Sequence, residues 1–252
     1  MIASERVVYI MRRINELGVV NLKDIAAQLG TSETTVRRDF EKLEQQGKLR
    51  RVQGGATTSG GPESLLDSAQ LTTRLKTNVH VPQKQLVGSW AAAQVQEGEC
   101  VYLDDGTSIL PVAELLMHKK VHIVTNSTLL LEKARNAVAD VFLIGGRYEP
   151  YYDIVAGPLA QEVLSRFHFD RAFIGCFGVS LEKHSAYTME MECMSLKTIA
   201  LQNAGRRYLL LDDSKLTKAG FYAIADLDRF DAVVCNRADT LPEKLPNNFV
   251  LV

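Results

Sequence analysis

Apolar residues near the start of the chain recur at the spacing of α-helices. Three segments each place an apolar stripe on one helical face: residues 4–17, a short helix that contains Ile25, Ala26 and Leu29, and a further helix that contains Val36, Phe40 and Leu43 and ends at Gly47. Gly30 lies between the second and third segments, where a helix can end in the left-handed conformation, and Thr31 or Ser32 can cap the third helix. The basic run LRRVQGG follows. The pattern therefore predicts a winged helix-turn-helix domain over residues 1–58.

The opposite face of the third predicted helix carries short polar and cationic side chains. In helix-turn-helix proteins this helix presents its N-terminal residues to the major groove, where arginines reach phosphates or guanine edges. The residues predicted to contact DNA are Ser32, Thr34, Thr35, Arg37 and Arg38 on the helix, and Arg50, Arg51 and Gln53 on the wing. The alternative is an ordinary helical hairpin with solvated arginines. The cap, the apolar stripes, the turn glycine and the basic wing together favour DNA binding.

From about residue 83 onwards, helical and β-type patterns alternate. The predicted helices cover residues 83–96, 108–118, 127–137, 157–167, 190–204 and 222–228. The apolar runs between them are CVYLD, VHIVT, VFLIGG, RAFIGC, RYLLLD, AVVCN and FVLV. This alternation predicts a mostly parallel sheet with helices on both faces. We therefore expect a larger α/β domain over residues 83–252, preceded by a linker over residues 59–82 that is rich in small and polar residues.

Charge is distributed unevenly along the 252 residues. Residues 1–58 contain ten Lys and Arg against seven Asp and Glu, whereas the remainder has a net charge of −4. A basic head on an acidic body suits local contact with DNA through a few residues. The four cysteines stand singly and the five histidines lack metal-ligand spacing, so we expect neither a metal site nor a cofactor.

The sequence shows no targeting or membrane segment. None of its apolar runs reaches the length of a membrane span, and the N-terminal stretch MIASERVVYIMRR is charged and helical in pattern, unlike a signal peptide. We therefore expect a cytoplasmic protein with no membrane partner.

Glycine and polar residues follow the predicted strands, at the edge where open α/β sheets bind ligands. They are Asp104, Asp105, Gly106, Thr107 and Ser108 after the first strand, Thr125, Asn126 and Ser127 after the second, Gly145, Gly146 and Arg147 after the third, and Lys215 after a later one. Hydroxyls and N–H groups at a helix start can bind an anion, and Lys215 and Arg147 can balance phosphate charge. Asp104 or Asp105 can accept sugar hydroxyls. Each loop alone is an ordinary turn, but together they predict a pocket for a phosphorylated sugar or polyol.

The chain resembles the DeoR family of bacterial sugar-metabolism regulators. Over residues 4–58 the resemblance rests on the run TSETTVRRDFEKLEQQGKLRRVQGGA and the lead-in INELGVVNLKDIAAQL. In the body it rests on DDGTS, TNS, IGG, FDRAFIGCFGVS and DDSK, and on Glu190 near Lys197. It implies a winged-helix repressor whose sensor domain is similar to ribose-5-phosphate isomerase. It also implies Glu190 as an effector contact, although a helix start suits Glu190 equally well for capping.

An isomerase-like enzyme with a DNA-binding head is the alternative interpretation. Sugar-phosphate isomerisation needs a carboxylate to move a proton, and the related isomerases carry a Gly-Ala-Asp-Glu cluster after the fourth strand. Here residues 174–178 read IGCFG, so both carboxylates are missing. The sequence therefore predicts a regulator without enzymatic activity, which releases its operator when the effector binds. Helix-turn-helix proteins bind paired half-sites on DNA, which predicts a homodimer or homotetramer.

Overall fold

The computed structural model describes residues 3–17, 19–52, 54–58, 73–239, 241–242 and 244–252. The chain divides into two compact units between Val79 and His80. The elements of the N-terminal unit are α1 (Ala3–Leu17), β1 (Val19–Asn21), α2 (Leu22–Leu29), α3 (Glu33–Gln45), β2 (Leu49–Val52), β3 (Gly55–Thr58) and α4 (Thr73–Thr77).

The N-terminal unit has a core to which all three longer helices contribute. Ile14 of α1, Ile25 of α2 and Phe40 of α3 are each at most 2% exposed. The turn between α2 and α3 uses Gly30, whose φ of +59° is the left-handed conformation that glycine tolerates. The N–H of Thr31 then donates to Ala26 O at 3.0 Å. The apolar spacing and the turn glycine thus produce the predicted helix-turn-helix.

The wing is an antiparallel hairpin of β2 and β3, and β3 also pairs with β1. β1 and β3 approach closely because Gly55 has no side chain: a Cβ there would lie 2.0 Å from Val20 O. The structure therefore confirms the predicted winged helix-turn-helix fold, with the order α1–β1–α2–α3–β2–β3.

The C-terminal unit contains a larger set of alternating helices and strands. Its elements are α5 (Val81–Ala93), β4 (Cys100–Leu103), α6 (Leu110–Leu116), β5 (His122–Thr125), β6 (Asp140–Leu143), β7 (Arg147–Glu149), β8 (Ile154–Ala156), α7 (Pro158–Ser165), β9 (Phe169–Gly175), β10 (Gly178–Ser180), β11 (Ser185–Thr188), α8 (Met191–Gln202), β12 (Ala204–Leu211), β13 (Tyr222–Asp226), β14 (Ala232–Cys235) and β15 (Phe249–Leu251).

Seven of these strands form one parallel sheet in the order β15-β14-β12-β9-β4-β5-β6. Neighbouring residues on a strand point to opposite faces. Tyr102 packs into one core cluster with Ile174, whereas Val101 and Leu103 pack into the other with Phe173. Both faces are buried, which explains why the strands appear in the sequence as continuous apolar runs. The predicted α/β class and its parallel sheet are confirmed.

Two predicted helices have a different structure. Residues 222–226 form β13, which pairs with β11 in a small antiparallel sheet with β10. Ile224 is buried between the exposed Ala223 and the partly exposed Ala225, and this period-two pattern suits a strand. The predicted helix over residues 127–137 is instead two short 3₁₀ helices, Thr128–Glu132 and Ala134–Asn136.

The range predicted as a linker, residues 59–82, includes helical structure where it is described. α4 lies inside that range and belongs to the N-terminal unit, and α5 begins at Val81, before the predicted helix start at residue 83. Pro82 in the first turn explains this start, because its fixed φ suits the beginning of a helix and its missing N–H needs no partner there. Residues 59–72 lie outside the described part of the chain.

Candidate functional site

The exposed face of α3 collects the helical residues predicted to contact DNA. Ser32 is the N-cap residue, and its Oγ accepts a hydrogen bond from the N–H of Thr35 at 3.2 Å. Thr34, Arg37 and Arg38 are all exposed, while the opposite side of α3 packs into the core. This arrangement presents hydroxyls and two guanidinium groups near the N-terminus of the helix, which is where major-groove readers carry their base contacts.

Arg51 has an intramolecular partner in the structure. Its Nε donates to Glu44 Oε2 and its Nη1 to Glu41 Oε1, each at 2.7 Å, and its backbone N–H donates to Glu44 Oε1 at 2.8 Å. Arg51 therefore holds the wing against α3, and its predicted contact with DNA stays a prediction. The sequence pattern did not predict this ion pair, because Glu41 and Glu44 belong to α3 whereas Arg51 belongs to β2. The side chain of Arg50 and the whole of Gln53 lie outside the described structure.

A second ion pair braces α3 from the other side. Arg6 on α1 donates to Asp39 through Nε at 2.8 Å and through Nη2 at 3.2 Å. The two bonds form a bidentate pair, whose planar geometry orients both partners. α3 is therefore tied to α1 by Asp39 and to the wing by its glutamates.

In the C-terminal unit, most of the predicted effector residues lie at the carboxyl ends of neighbouring strands. β12, β9, β4 and β5 are consecutive in the sheet, so the loops that follow them meet at one edge. This edge carries Asp104, Asp105, Gly106, Thr107 and Ser108 after β4, Thr125, Asn126 and Ser127 at the end of β5, and Lys215 after β12. We call this group of loops the strand-end pocket.

Lys197 joins this pocket from α8. Its side chain is 4% exposed, and Nζ donates to Asp104 Oδ2 and, at 3.1 Å, to Asp105 Oδ1. Asp104 is fully buried and also accepts the N–H of Gly175 at 2.8 Å. Lys197 was not among the predicted pocket residues. A signal existed, because Lys197 falls on the helix face that buries Cys193, Leu196 and Ala200, and a lysine there requires a partner.

The three charged groups shift one another's pKa. Burial and the neighbouring charge of Asp105 raise the pKa of Asp104 to about 7, although Lys197 acts in the opposite direction. Burial would raise the pKa of Asp105 too, but Lys197 and a hydrogen bond with Asp104 lower it to about 2. Burial lowers the pKa of Lys197, but the two aspartates outweigh this and raise it above its ordinary value. Lys197 therefore stays charged, and of the two carboxylates Asp104 is the one that is more easily protonated.

Two glycines allow the β4 and β9 loops to touch. A Cβ on Gly106 would lie 3.0 Å from Gly175 Cα, and one on Gly175 would lie 3.1 Å from Gly106 Cα. Both distances are shorter than ordinary carbon contacts, so a side chain at either position would push the two backbones apart by a few tenths of an ångström. This close approach brings Gly175 N–H within reach of Asp104.

Three polar atoms of the pocket are buried and have no hydrogen-bond partner among the described residues. They are Asp104 Oδ1, Asn126 Nδ2 and Ser127 Oγ. The hydroxyl of Tyr102 donates to Asn126 Oδ1 at 2.9 Å, which orients the amide. Buried polar groups in proteins are nearly always satisfied. These three atoms therefore indicate a place where a polar ligand completes the hydrogen bonding.

Cationic groups gather at the β12 side of the pocket. Lys215 Nζ donates to Ser108 Oγ at 3.2 Å. Burial raises the pKa of Asp212, but Lys215, the hydroxyl of Ser214, His80 and Lys84 together lower it below its ordinary value. Lys84 is 5% exposed, so two lysines and a serine hydroxyl lie near one another at this side.

Two family descriptions match the sequence. "DeoR-like helix-turn-helix domain" matches residues 6–59, and "DeoR C terminal sensor domain" matches residues 79–237. The chain belongs to the DeoR family. The resemblance inferred from the DNA-binding and strand-end motifs is thereby confirmed, and the chain is a DNA-binding regulator with a sensor domain.

Curated relatives of this DeoR-family chain carry the name "Lactose phosphotransferase system repressor". The protein of Staphylococcus epidermidis is 27% identical over 251 residues, which cover 98% of each chain. That of Staphylococcus aureus is 28% identical over 93% of this chain and 92% of the relative, and that of Streptococcus mutans is 26% identical over 94% and 93%. The relatives are thus named as repressors and match along nearly their whole length.

Solved structures similar to the chain include ribose-5-phosphate isomerases. One, in complex with phospho-erythronic acid, has a TM-score of 0.40 and 14% identity and covers 53% of both chains. Ribose 5-phosphate isomerase A from Methanocaldococcus jannaschii has a TM-score of 0.40 and 21% identity over 54% of both chains.

Three residues predicted for the effector pocket of this DeoR-family protein follow β6, which lies beside β5 at the same edge of the sheet. Arg147 is exposed at the start of β7 and pairs with Glu149 at 2.6 Å and Glu192 at 3.8 Å. It lines a groove of about 500 Å³ beside α7 and α8. Gly146 packs closely, since a Cβ there would lie 2.7 Å from Ala156 O, and Gly145 is exposed. The β7–β8 hairpin, which has no clear sequence signal, begins at Arg147 and brings its side chain to Glu149 and Glu192.

Glu190 lies at the N-terminus of α8, as predicted, and accepts a hydrogen bond from Tyr152. Burial, together with Glu190, raises the pKa of Tyr152 well above its ordinary value. The rings of Tyr151 and Tyr152 meet edge to face, with centroids 4.8 Å apart. Glu190 therefore joins the loop after β7 to α8, the helix that carries Lys197. This is a structural role, and the effector contact of Glu190 stays a prediction.

A thiol lies at the end of β9, next to the loop of β4. Cys176 follows β9, and burial raises its pKa to about 11, although Lys215 and Lys197 act in the opposite direction. The thiol is therefore neutral at physiological pH. Among the residues that the structure describes, no group of three or more His, Cys, Asp or Glu side chains could hold a metal ion. No helix in the described ranges is both long and apolar enough to span a membrane.

Proposed function

We propose that this protein represses a sugar or polyol catabolic operon and that a phosphorylated sugar or polyol releases it from operator DNA. Relatives named as lactose phosphotransferase system repressors support this direction of control, because they match 98% of the chain. The observation that carries the ligand half of the proposal is the strand-end pocket, where three unpartnered buried polar atoms lie on the same sheet edge as two lysines.

The phosphate is proposed to bind at the β12 side of this pocket. Lys215 and Ser108 already contact each other at 3.2 Å, and the buried Lys84 adds a second lysine nearby. Ammonium and hydroxyl groups donate hydrogen bonds to phosphate oxygens, and charge makes these bonds about twice as strong as neutral ones. Lys215 reaches Ser108 on the loop after β4, and β4 is the neighbour of β5 at about 5 Å, so a phosphorylated carbon chain can extend from Lys215 toward Asn126.

The same pocket is proposed to bind without catalysing a reaction. Asp104 Oδ2 is already engaged by Lys197 and by the N–H of Gly175. The chain has a neutral thiol at Cys176, where the related isomerases have carboxylates. An assay for conversion of ribose 5-phosphate to ribulose 5-phosphate tests this point, and measurable turnover that is lost in Glu190→Gln would contradict it.

On the DNA side, α3 is proposed to lie in the major groove with Arg37 and Arg38 toward the bases or phosphates. Two such heads are needed for a two-fold operator, so we propose a homodimer or homotetramer acting in the cytoplasm. Effector and DNA then prefer different states of the oligomer, which is the requirement for release.

The decisive experiment measures operator binding and ligand binding on the same full-length protein. Fluorescence anisotropy with duplexes from the DNA flanking its own gene gives the affinity and its salt dependence, and a thermal-shift screen covers phosphorylated sugars and polyols. We expect one duplex to bind far more tightly than a scrambled sequence, and one phosphate ester both to raise Tm and to weaken that binding. If the protein bound none of these duplexes, the proposal that it is a repressor would be refuted.

A further inference from the structure

The end of the strand-end pocket beside Lys197, here called its inner end, contains two carboxylates for one ammonium group. Lys197 is buried and donates to both Asp104 and Asp105. A buried ammonium on its own would attract an anionic ligand group, but here each of two carboxylates already contacts it. The cluster therefore has no net positive charge to offer, whether Asp104 is ionised or protonated.

Asn126 lies next to this cluster. Leu103 of β4 pairs with Thr125 of β5 in the parallel register, so Asp104 and Asn126 are the next residues on adjacent strands, about 5 Å apart. Tyr102 links the two, because its hydroxyl donates to Asn126 and its pKa is raised by burial and by the charges of Asp104 and Asp105. The unpartnered atoms thus share one end of the pocket.

The chemistry of those atoms suits hydroxyl groups. Asn126 Nδ2 is a donor, Asp104 Oδ1 is an acceptor when ionised, and Ser127 Oγ is both. A hydroxyl both donates and accepts, so it can satisfy all three kinds of atom. A carboxylate only accepts, and at this place it would meet a cluster without net positive charge, in which an ionised Asp104 would also repel it.

We infer that Lys197, neutralised by Asp104 and Asp105, makes this pocket select phosphate esters whose far end is an uncharged hydroxyl or carbonyl, and reject sugar-acid phosphates. The inference rests on the proposed function, since it assumes that a phosphorylated sugar or polyol binds with its phosphate toward Lys215. Lys197 is thus a specificity-determining residue. Because the two aspartates cancel its charge, the pocket favours an uncharged group over a carboxylate at this end.

Matched pairs of compounds test this on the wild-type protein. Each pair has the same carbon chain and phosphate and differs at the far end: glucitol 6-phosphate against 6-phosphogluconate, and ribitol 5-phosphate against 5-phosphoribonate. Glucose 6-phosphate, fructose 6-phosphate, fructose 1-phosphate and inorganic phosphate complete the panel. Thermal shift and calorimetry give the dissociation constants. We expect the acid of each pair to bind at least tenfold more weakly than its polyol.

Isosteric variants then change the charge around Lys197. Asp105→Asn should narrow the difference within each pair, and Asp104→Asn combined with Asp105→Asn should reverse it, because the ammonium then has no carboxylate partner. Asp140→Asn is the matched control, since Asp140 is 61% exposed on the edge strand β6, and it should leave the ratio unchanged. If the double variant does not fold, Asp105→Asn and the wild-type ratio still decide the question.

The outcomes separate the inference from the function on which it rests. If wild-type protein binds an acid phosphate as tightly as its polyol partner, the specificity inference is wrong while the phosphate-ester sensor stands. If a polyol or sugar phosphate binds and its acid does not, and Asp105→Asn narrows that gap, the inference is supported. If no compound of the panel binds, the proposed sensor function fails and the inference fails with it.

Discussion

Arg51 Nε lies 2.7 Å from Glu44 Oε2, and this ion pair joins β2 of the wing to α3. If the pair positions the wing, Arg51→Met and Glu44→Gln should both weaken operator binding, because either change removes the ion pair between Arg51 and Glu44. The slope of log affinity against log salt should stay unchanged in both, since no phosphate contact is lost. Anisotropy titrations at several salt concentrations measure this.

A direct phosphate contact by Arg51 gives the opposite pattern. Arg51→Met would then reduce the salt slope by about one, and Glu44→Gln would leave affinity intact or increase it, because the guanidinium would be freed. Glu44→Gln is therefore the variant that separates the two roles.

The exposed arginines of α3 should show the behaviour expected of DNA contacts. Arg37→Ala or Arg38→Ala should weaken operator binding by ~1–3 kcal/mol if the side chain reads a base, with a smaller loss on unrelated DNA. A phosphate contact would instead weaken all duplexes alike and lower the salt slope. Arg135→Ala, an exposed arginine of the C-terminal unit, is the control. Unchanged binding in both α3 variants would exclude this face of the helix as the reader.

Lys215 should control the response to ligand without affecting DNA binding. Lys215→Ala removes the ammonium that contacts Ser108. A charged hydrogen bond contributes roughly 1.5–3 kcal/mol, so the effector concentration needed for release should rise about tenfold or more. Lys120→Ala, at an exposed lysine, should have no effect. A normal ligand response in Lys215→Ala would show that the phosphate binds elsewhere.

The raised pKa of Asp104, about 7, predicts a pH dependence of stability. Between about pH 4 and pH 7 the folded protein holds a proton on Asp104 that the unfolded chain has released. The contribution of Asp104 to the free energy of unfolding therefore falls as the pH rises from about 4 to about 7, with a slope of at most ~1.4 kcal/mol per pH unit. Asp104→Asn should flatten this part of the curve.

Urea denaturation of wild type, Asp104→Asn and the control Asp239→Asn, at an exposed aspartate, between pH 4.5 and 7.5 measures the effect. Parallel curves for wild type and Asp104→Asn would mean that Asp104 titrates at its ordinary value. Asp105 does not interfere, because its lowered pKa of about 2 affects stability only below about pH 4.

The contact of Gly106 with Gly175 predicts a steric limit. Gly175→Ala places a Cβ 3.1 Å from Gly106 Cα, and both partners are backbone. Overpacking of this kind costs typically ~1–3 kcal/mol, and the shift should also disturb the N–H that Asp104 accepts. Gly145→Ala is the matched control, because nothing lies within 4 Å of an added Cβ there. Equal urea midpoints for the two variants would show that the loops can separate without cost.

Local patterns were sufficient for most of the fold. The helix-turn-helix follows from apolar spacing around Gly30 and from the cap at Ser32, all within a few residues of one another. Strands such as Val101–Leu103 and Phe173–Ile174 appear as apolar runs because both faces of a parallel sheet are buried. β13 was missed because its short alternating segment has no strong local signal, and its pairing with β11 decides its conformation.

For the candidate site, the sequence alone determined which loops carry polar residues after strands, because the carboxyl ends of parallel strands must share one edge. Only the tertiary structure decided which side chains meet there. Lys197 reaches Asp104 across 93 positions of sequence, Arg51 is held by Glu44, and Arg147 is turned toward Glu149 and Glu192. Periodicity records which face of an element is buried, but the partner of a buried charge depends on which elements become neighbours in space.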